Sequence, residues 1–189
     1  MRIVLVLALL SGPVFGVAAT AQACPASPDV SAELDGLFAQ AQAATNTTQG
    51  RAASEAMWKV WLRAPDEAAQ AVLERGMQAR GSFDFNRAAQ AFTRLIEYCP
   101  DYAEGWNQRA YISYLREDYP AALRDLDRAL ELQPRHVAAQ SGRALTLMNM
   151  GRLAQAREQM LAAVANNPWL SEAALLAKGA PLGPVGDDI

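Results

Sequence analysis

The sequence predicts an all-α protein built from repeated helical hairpins. Alanine is abundant, 51% of the 189 residues are hydrophobic and 20% are charged, which is the composition of a folded and helix-prone chain. Four prolines recur at a nearly constant spacing, at Pro65, Pro100, Pro134 and Pro168. A spacing of about 34 residues is typical of stacked helical units.

Small and bulky residues also recur at fixed distances before these prolines. An alanine lies twelve residues before each proline, a large apolar residue lies eight before it, and a further small residue lies twenty-four before it. Small residues let two facing helices approach closely, and a bulky residue fills the adjoining hole. Each unit is therefore predicted to be two packed helices. The alanines twelve residues before the prolines are Ala53, Ala88, Ala122 and Ala156. The large apolar residues eight before them are Met57, Phe92, Leu126 and Met160. The small residues twenty-four before them are Ala41, Gly76, Ala110 and Ala144.

The unit at 101–134 shows the helices most clearly. Asp101 and Glu104 have the spacing of a capping box, which predicts a helix that ends near Leu115. Pro120 then marks the first turn of a second helix, which extends to about Leu132. Helices of this length are marginal alone, so the units are expected to stack on one another.

The repeat divides the chain into an array at 34–168 and flanking segments. The array contains a degenerate unit at 34–65 and units at 66–100, 101–134 and 135–168. Residues 24–33 form an N-terminal lead. Residues 169–179 are predicted to be a short helix that caps the last hairpin, and residues 180–189, rich in proline and glycine, a flexible tail.

Residues 1–23 have the pattern of a secretory signal peptide. Arg2 precedes an apolar run at 3–10, and the small-x-small triplet at 21–23 stands just before Cys24. An uncleaved anchor and a lipid-modified Cys24 are the alternatives. We expect cleavage before Cys24, export to the bacterial periplasm, and no membrane span in the mature chain.

The third unit resembles the tetratricopeptide consensus. The matching residues are Ala103-Glu104-Gly105-Trp106, Ala110, Tyr119, Ala122, Leu126, Ala129 and Pro134. The resemblance extends over 69–100 and 137–168, where Gly151 stands at the turn glycine of the family, and it is weak over 34–65. Glu117 replaces that glycine in the third unit. The resemblance implies an α-solenoid that binds another protein or a peptide without catalysis.

The resemblance also implies that the first helix of each unit lines a concave groove. Tyr111 and Tyr114 lie one helical turn apart, so both rings can contact one ligand, although packing against the next hairpin is the alternative. The positions at which chaperone-tail-binding members hold a carboxylate carry other residues here, so no such clamp is expected; they are Leu73, Met77, Gln108, Ala138 and Gly142. The candidate groove residues are Met77, Arg80, Glu104, Asn107, Tyr111, Tyr114, Ser141, Leu145, Met148 and Asn149.

Three arginines, Arg75, Arg109 and Arg143, recur at one position of successive units, where the family usually has leucine. We expect them to lie between helices, with Asp125 or Asp127 as partners in the middle unit only. A row of positive charge that meets an acidic partner is the alternative.

The two cysteines are candidates for a disulfide. Cys24 precedes the first helix, Cys99 lies in a loop between units, and the lead could span the intervening distance of about 20 Å. Two free thiols, a lipidated Cys24 and an intermolecular bridge are the alternatives. Without a CxxC motif, redox catalysis is not expected.

The composition offers little material for catalysis or for binding nucleic acid. The chain has one histidine and a net charge of −3, and it has no basic block, so no metal, cofactor, nucleic acid or catalytic residue is predicted. His136 is expected in a surface loop. The predicted function is a protein-binding or peptide-binding scaffold of the cell envelope. The alternatives are a self-associating oligomer formed through the unit at 34–65, and a chaperone for cytochrome c or envelope assembly.

Overall fold

The computed structural model describes residues 23–184, and all regular structure within them is helical. The predicted signal peptide, apart from Ala23, and residues 185–189 of the predicted tail lie outside this range. The described helices are α1 (Ser31–Ala43), α2 (Thr47–Trp61), α3 (Glu67–Gly81), α4 (Phe85–Tyr98), α5 (Ala103–Leu115), α6 (Tyr119–Leu132), α7 (Val137–Asn149), α8 (Leu153–Asn166) and a 3₁₀ helix (Ser171–Leu176).

The last three predicted hairpins form the expected stack. Helix α3 pairs with α4, α5 with α6 and α7 with α8, while α4 packs on α5 and α6 packs on α7 to join the hairpins. The α5–α6 hairpin has the bounds that the sequence predicts, with Leu115 and Leu132 at the helix ends and Pro120 in the first turn of α6. The all-α repeat architecture is confirmed.

The residues of the repeat register lie in the core. Ala88, Ala110, Ala122 and Ala144 are fully buried, as are the bulky Phe92 and Met160. At Gly76 the contact is so close that an added Cβ atom would lie 2.4 Å from the Phe92 ring. Small residues thus permit the helix contact that the sequence pattern predicts.

The turns inside the three hairpins share one backbone conformation. Phe83, Glu117 and Gly151 occupy the same position of the three successive repeats and have φ angles of 60°, 61° and 74°. This left-handed region is unfavourable for residues with a Cβ atom, so glycine is the residue best suited to the position. Glu117 therefore replaces the glycine without changing the turn.

Several helix starts carry polar side-chain caps, but α5, like α1 and α8, does not. The side chains of Asp66, Asp84 and Asp118 accept backbone N–H bonds at the starts of α3, α4 and α6. Tyr102 is the N-cap of α5 and makes no side-chain cap bond. The capping box predicted from Asp101 and Glu104 is therefore wrong, because Glu104 is bonded to side chains in the interior instead.

The N-terminal hairpin does not extend the stack, contrary to the prediction for residues 34–65. Helices α1 and α2 pair with each other, but α2 does not pack along α3, and α1 contacts α8 at the far end of the array. Leu62 packs against the α3–α4 core, where α2 ends. The hairpin therefore bridges the first and last repeats across the inner face of the array.

Specific contacts hold the hairpin at the α8 end. The Nδ2 group of Asn167 donates to Ser54 Oγ at 2.8 Å, and the indole Nε1 of Trp169 donates to the carbonyl of Ala41 at 2.9 Å. The Trp169 ring covers Gly50 so closely that a Cβ atom there would lie 2.1 Å from it. These partners of the hairpin follow α8 in sequence, so they lie at the end of the array opposite to α3.

The segment after α8 caps the last hairpin as predicted, but as 3₁₀ turns and not as an α-helix at 169–179. Leu175, Leu176 and Leu182 pack against residues of α7 and α8. The helix has six residues, and 3₁₀ geometry is typical of such short pieces.

Candidate functional site

The inner helices of the three repeats line a cavity of about 510 Å³. Helix α3 contributes Met77 and Arg80, α5 contributes Tyr111 and Tyr114, and α7 contributes Leu145. Trp58 and Leu62, from α2 and the residue after it, form another part of the wall, and Glu172 of the 3₁₀ helix completes the lining. The cavity is thus built by the repeats together with the N-terminal hairpin, and we call it the inner-face cavity.

The two tyrosines predicted to lie in the groove do line this cavity. The Tyr111 side chain is 46% exposed, so it is not a core residue. Tyr114 is half-buried, its hydroxyl accepts a 3.1 Å hydrogen bond from Asn149, and its ring meets Tyr119 edge to face at 5.8 Å. The Tyr111 ring is accessible and the Tyr114 ring is held in place by its contacts, so both rings offer aromatic surface to a ligand.

Arg80 is the cation of the cavity lining. Its Nη1 group donates to the side-chain oxygen of Gln108, and its guanidinium lies 5.4 Å from the centre of the Tyr111 ring. Among the described residues, no carboxylate forms an ion pair with Arg80. The side chain is therefore oriented by a neutral amide and an aromatic face.

Glu104, also predicted as a groove residue, is instead the centre of a buried network. Its side chain is 1% exposed and accepts hydrogen bonds from Asn107 and Gln108. The Nε2 atom of His136 lies 2.8 Å from Oε2, the oxygen that also accepts from Asn107. Glu104 is thus unavailable to a ligand, because its oxygens are occupied within the protein.

His136 is buried and not in a surface loop, so that expectation is wrong. Its side chain is 0% exposed, and its Nδ1 accepts the backbone N–H of Ala139 at the start of α7. The ring is stacked on Trp61, which α2 places over the start of α7. No local pattern around His136 indicates this burial, because the covering residue belongs to a distant part of the chain.

The remaining predicted groove residues have different positions. Asn107 and Ser141 line the cavity, but the Asn107 amide donates to Glu104 and the Ser141 hydroxyl donates to the carbonyl of Ala138. Met148 packs against the core between α7 and α8 and does not line the cavity. Asn149 is exposed and contacts the site through Tyr114.

Two of the three recurring arginines are fixed by ion pairs between helices. Arg109 forms a bidentate pair with Asp125, at 2.7 and 2.8 Å, and this hydrogen bonding raises the pKa of Arg109 above its ordinary value. Arg143 donates to Asp127 of the preceding unit at 2.7 Å, so both acidic partners, Asp125 and Asp127, lie in the middle unit as expected. Arg75 is exposed and forms no ion pair with a described residue.

Cys24 and Cys99 form a disulfide in the structure, with Cα atoms 5.2 Å apart. Next to it, the hydroxyl of Ser27 donates to the carbonyl of Asp101, in the same loop as Cys99. The bond attaches the lead that precedes α1 to the loop between α4 and α5. The N-terminal hairpin is therefore covalently held at both of its ends.

A second cavity, of about 560 Å³, lies where the lead and α1 face the loops between repeats. Its lining includes the ion pair of Arg135 with Asp35, and Arg63 of the lining is paired with Glu33. Within residues 23–184 no group of histidine, cysteine or carboxylate side chains is arranged to hold a metal ion. No helix in that range is long and apolar enough to span a membrane.

Comparisons with known proteins agree with this repeat architecture. The model of the tetratricopeptide repeat matches residues 103–136. A TPR repeat-containing protein of Rhizobium etli is 40% identical over 67 residues, which cover 35% of this chain and 33% of that protein. The tetratricopeptide repeat protein 36 homolog of Nematostella vectensis is 38% identical over 65 residues, or 34% of this chain and 36% of that protein. The chain thus matches about a third of the length of these relatives.

Solved tetratricopeptide domains have the same fold. The TPR domain of Arabidopsis OM64 superposes with a TM-score of 0.57 at 21% identity, over 59% of this chain and 93% of that one. The TPR2B domain of yeast Sti1, solved in a complex with pHsp70, gives a TM-score of 0.54 at 25% identity, over 58% of this chain and 90% of that one. Together with the repeat register and the three stacked hairpins, these matches show that the chain contains a tetratricopeptide repeat at residues 103–136 and shares the fold of solved tetratricopeptide domains.

Proposed function

We propose that this chain is an exported, non-catalytic binding module of the bacterial cell envelope, and that it binds a segment of another protein in the inner-face cavity. The observation that carries the proposal is the accessible aromatic surface of Tyr111 and Tyr114 beside Arg80, which has no carboxylate partner among the described residues. Aromatic side chains with an arginine are enriched where proteins bind partners, since they bury apolar surface and still form polar contacts.

The Sti1 domain supports a peptide ligand, because that neighbour was solved in a pHsp70 complex. Two further features support export. Residues 1–23 have the pattern of a signal peptide, and the Cys24–Cys99 disulfide is of the kind that persists in oxidising compartments.

The structure offers less support for self-association through the N-terminal hairpin. That hairpin already packs its apolar face within the chain, against Val137 and the residues after α8, so little of that face is left for a second copy. Action as a chaperone in cytochrome c or envelope assembly is compatible with a peptide-binding cavity and remains a prediction from the sequence.

The proposal is tested by affinity capture from a periplasmic extract of the source cells, with bound proteins identified by mass spectrometry. The bait is the oxidised chain, run beside the Tyr111→Ala/Tyr114→Ala variant. A Leu161→Ala variant is the matched control, because Leu161 is exposed on α8 and does not line the cavity.

We expect a partner that the parent and Leu161→Ala retain and the double variant loses. Equal recovery by all three baits would contradict the proposed site. Circular dichroism of the double variant checks that it is folded; if it is unfolded, the tyrosines serve the core and the cavity loses its role.

A further inference from the structure

The position of α2 determines which part of the groove remains open. Residues in the first half of the inner helices are buried, among them Leu73 on α3 and Glu104 on α5. Trp61 covers His136 at the start of α7. Residues one to two turns further along these helices, such as Arg80 and Tyr111, still line the cavity. The N-terminal hairpin thus fills one half of the groove and forms a wall for the other half.

This wall restricts the ligands that can bind. An extended segment cannot pass along the whole groove, since α2 crosses it and the hairpin is held at one end by the disulfide and at the other by the chain that continues to α3. The remaining space of about 510 Å³ suits a few residues of a partner. Its walls include Trp58, Tyr114 and Leu145, so a bulky apolar side chain fits there.

The positive charge of Arg80 indicates which chemical group of the ligand lies next to that apolar side chain. Arg80 is half-buried and is oriented by Gln108 and the Tyr111 ring, with no carboxylate partner among the described residues. Glu172, the acidic residue in the lining, accepts a hydrogen bond from Ser171 and is not paired with Arg80. A partly desolvated guanidinium without a counter-charge favours an anionic ligand, for which carboxylate has the matching geometry.

We propose that the inner-face cavity binds a short acidic segment of a partner protein, in which a bulky apolar side chain contacts Trp58 and Tyr114 and a neighbouring aspartate or glutamate carboxylate binds Arg80. This inference rests on the proposed function and specifies its ligand. The site is a composite of the repeats and the N-terminal hairpin, and Arg80 determines its preference for acidic segments.

Two capped, fluorescein-labelled hexapeptides test the proposal with the complete chain in its oxidised form. One has the sequence Ser-Gly-Phe-Glu-Gly-Ser, and the other has glutamine in place of glutamate. Binding is followed by fluorescence anisotropy for the parent, Arg80→Gln and Arg75→Gln. Arg75 is the matched control, because it lies on the same helix, is exposed and does not line the cavity.

We expect the parent and Arg75→Gln to bind the acidic peptide about tenfold more tightly than the neutral one, as for a charge-assisted hydrogen bond. Arg80→Gln should bind the two peptides within about twofold of each other. Retention of the tenfold preference by Arg80→Gln, no preference by the parent, or no binding of either peptide would each overturn the proposal.

A third peptide, Ser-Gly-Gly-Gly-Gly-Phe with a free C-terminal carboxylate, distinguishes the source of the charge. If only this peptide shows Arg80-dependent binding, the ligand is a chain terminus and the assignment to an internal acidic side chain is wrong. The capture experiment above is independent of these probes. A partner lost with Tyr111→Ala/Tyr114→Ala, without an acidic preference in the peptides, would keep the proposed function and reject only this inference.

Discussion

The indole ring of Trp61 is stacked on the imidazole of His136, with ring centres 4.3 Å apart and an angle of 16° between their planes. The stack joins the end of α2 to the start of α7, and the Trp61 carbonyl accepts a 2.7 Å hydrogen bond from the Tyr102 hydroxyl. Because His136 also contacts Glu104, this one ring covers the buried network below the cavity. The N-terminal hairpin is thereby part of the core and not a separate repeat.

Trp61→Ala should therefore destabilise the protein strongly. Removal of a buried tryptophan ring costs about 3–5 kcal/mol, and here it also opens the His136 network to water. Trp58→Ala is the matched control, since Trp58 lies one turn earlier and is 38% exposed. Urea unfolding measures the free energy of unfolding of both variants. Trp58→Ala should lower it by less than half as much as Trp61→Ala. Equal costs would mean that the Trp61 stack does not hold the hairpin.

Loss of the disulfide should destabilise the protein without changing its helical fold. The Cys24–Cys99 bond has a sequence separation of 75 residues and attaches the lead to the repeats. We expect Cys24→Ser/Cys99→Ser to lower the free energy of unfolding by about 2–4 kcal/mol. The test is urea unfolding of the parent and the variant, with and without reductant. Reductant should lower the stability of the parent only; a parent that is insensitive to it would contradict this role.

Gly50 and Gly36 should respond in opposite ways to alanine. A Cβ atom at Gly50 would lie 2.1 Å from the Trp169 ring, whereas at Gly36 it would meet no atom within 4 Å. Gly50→Ala is expected to cost about 1–3 kcal/mol by overpacking, and Gly36→Ala to stabilise helix α1 by up to about 1 kcal/mol. Melting temperatures of the two variants measure both changes. If Gly50→Ala is as stable as Gly36→Ala, Trp169 does not pack on α2.

Tyr102 should make the protein less stable at alkaline pH. Burial, and to a lesser extent the charge of Glu104, raise the pKa of Tyr102 far above its ordinary value. In the unfolded chain the phenol ionises near pH 10, so above that pH the unfolded state has lost a proton that the folded state keeps. The free energy of unfolding then falls as pH rises, by about 1.4 kcal/mol per pH unit from this group.

Tyr102→Phe isolates this contribution. Its free energy of unfolding, measured in urea between pH 9 and 11.5, should fall less steeply with pH than that of the parent. The two slopes should agree at pH 9, where the phenol is protonated in both states. Parallel curves up to pH 11.5 would show that Tyr102 is accessible to solvent in the folded protein.

The sequence predicted the repeats well because their packing is local. Leu126 and Ala129 pack with residues of the same and the next hairpin, so spacing alone indicates their burial. The path of α1–α2 could not be predicted this way. Residues 34–65 have the small and bulky positions that pack α1 on α2, but the partners of the hairpin, such as Trp169, lie near the other end of the chain and outside the repeat register.

The sequence predicts only those residues of the candidate site that belong to the repeat register. Tyr111 and Arg80 follow from the register of the inner helices and do line the cavity. Glu104 was predicted from the same register but is covered, because Trp61 and His136 lie above it. Trp58 and Glu172 were missed, since they belong to segments that only the folded chain brings to the cavity.

The measurement that tests the central claim most directly is site-specific photo-crosslinking in the cell envelope. A photoreactive phenylalanine derivative replaces Tyr111 inside the cavity or, as the control, Leu161 on the exposed side of α8. If a partner segment occupies the inner-face cavity, irradiation should attach one defined protein to the probe at 111 and none at 161. Crosslinks of equal yield at both positions, or at 161 alone, would contradict the account.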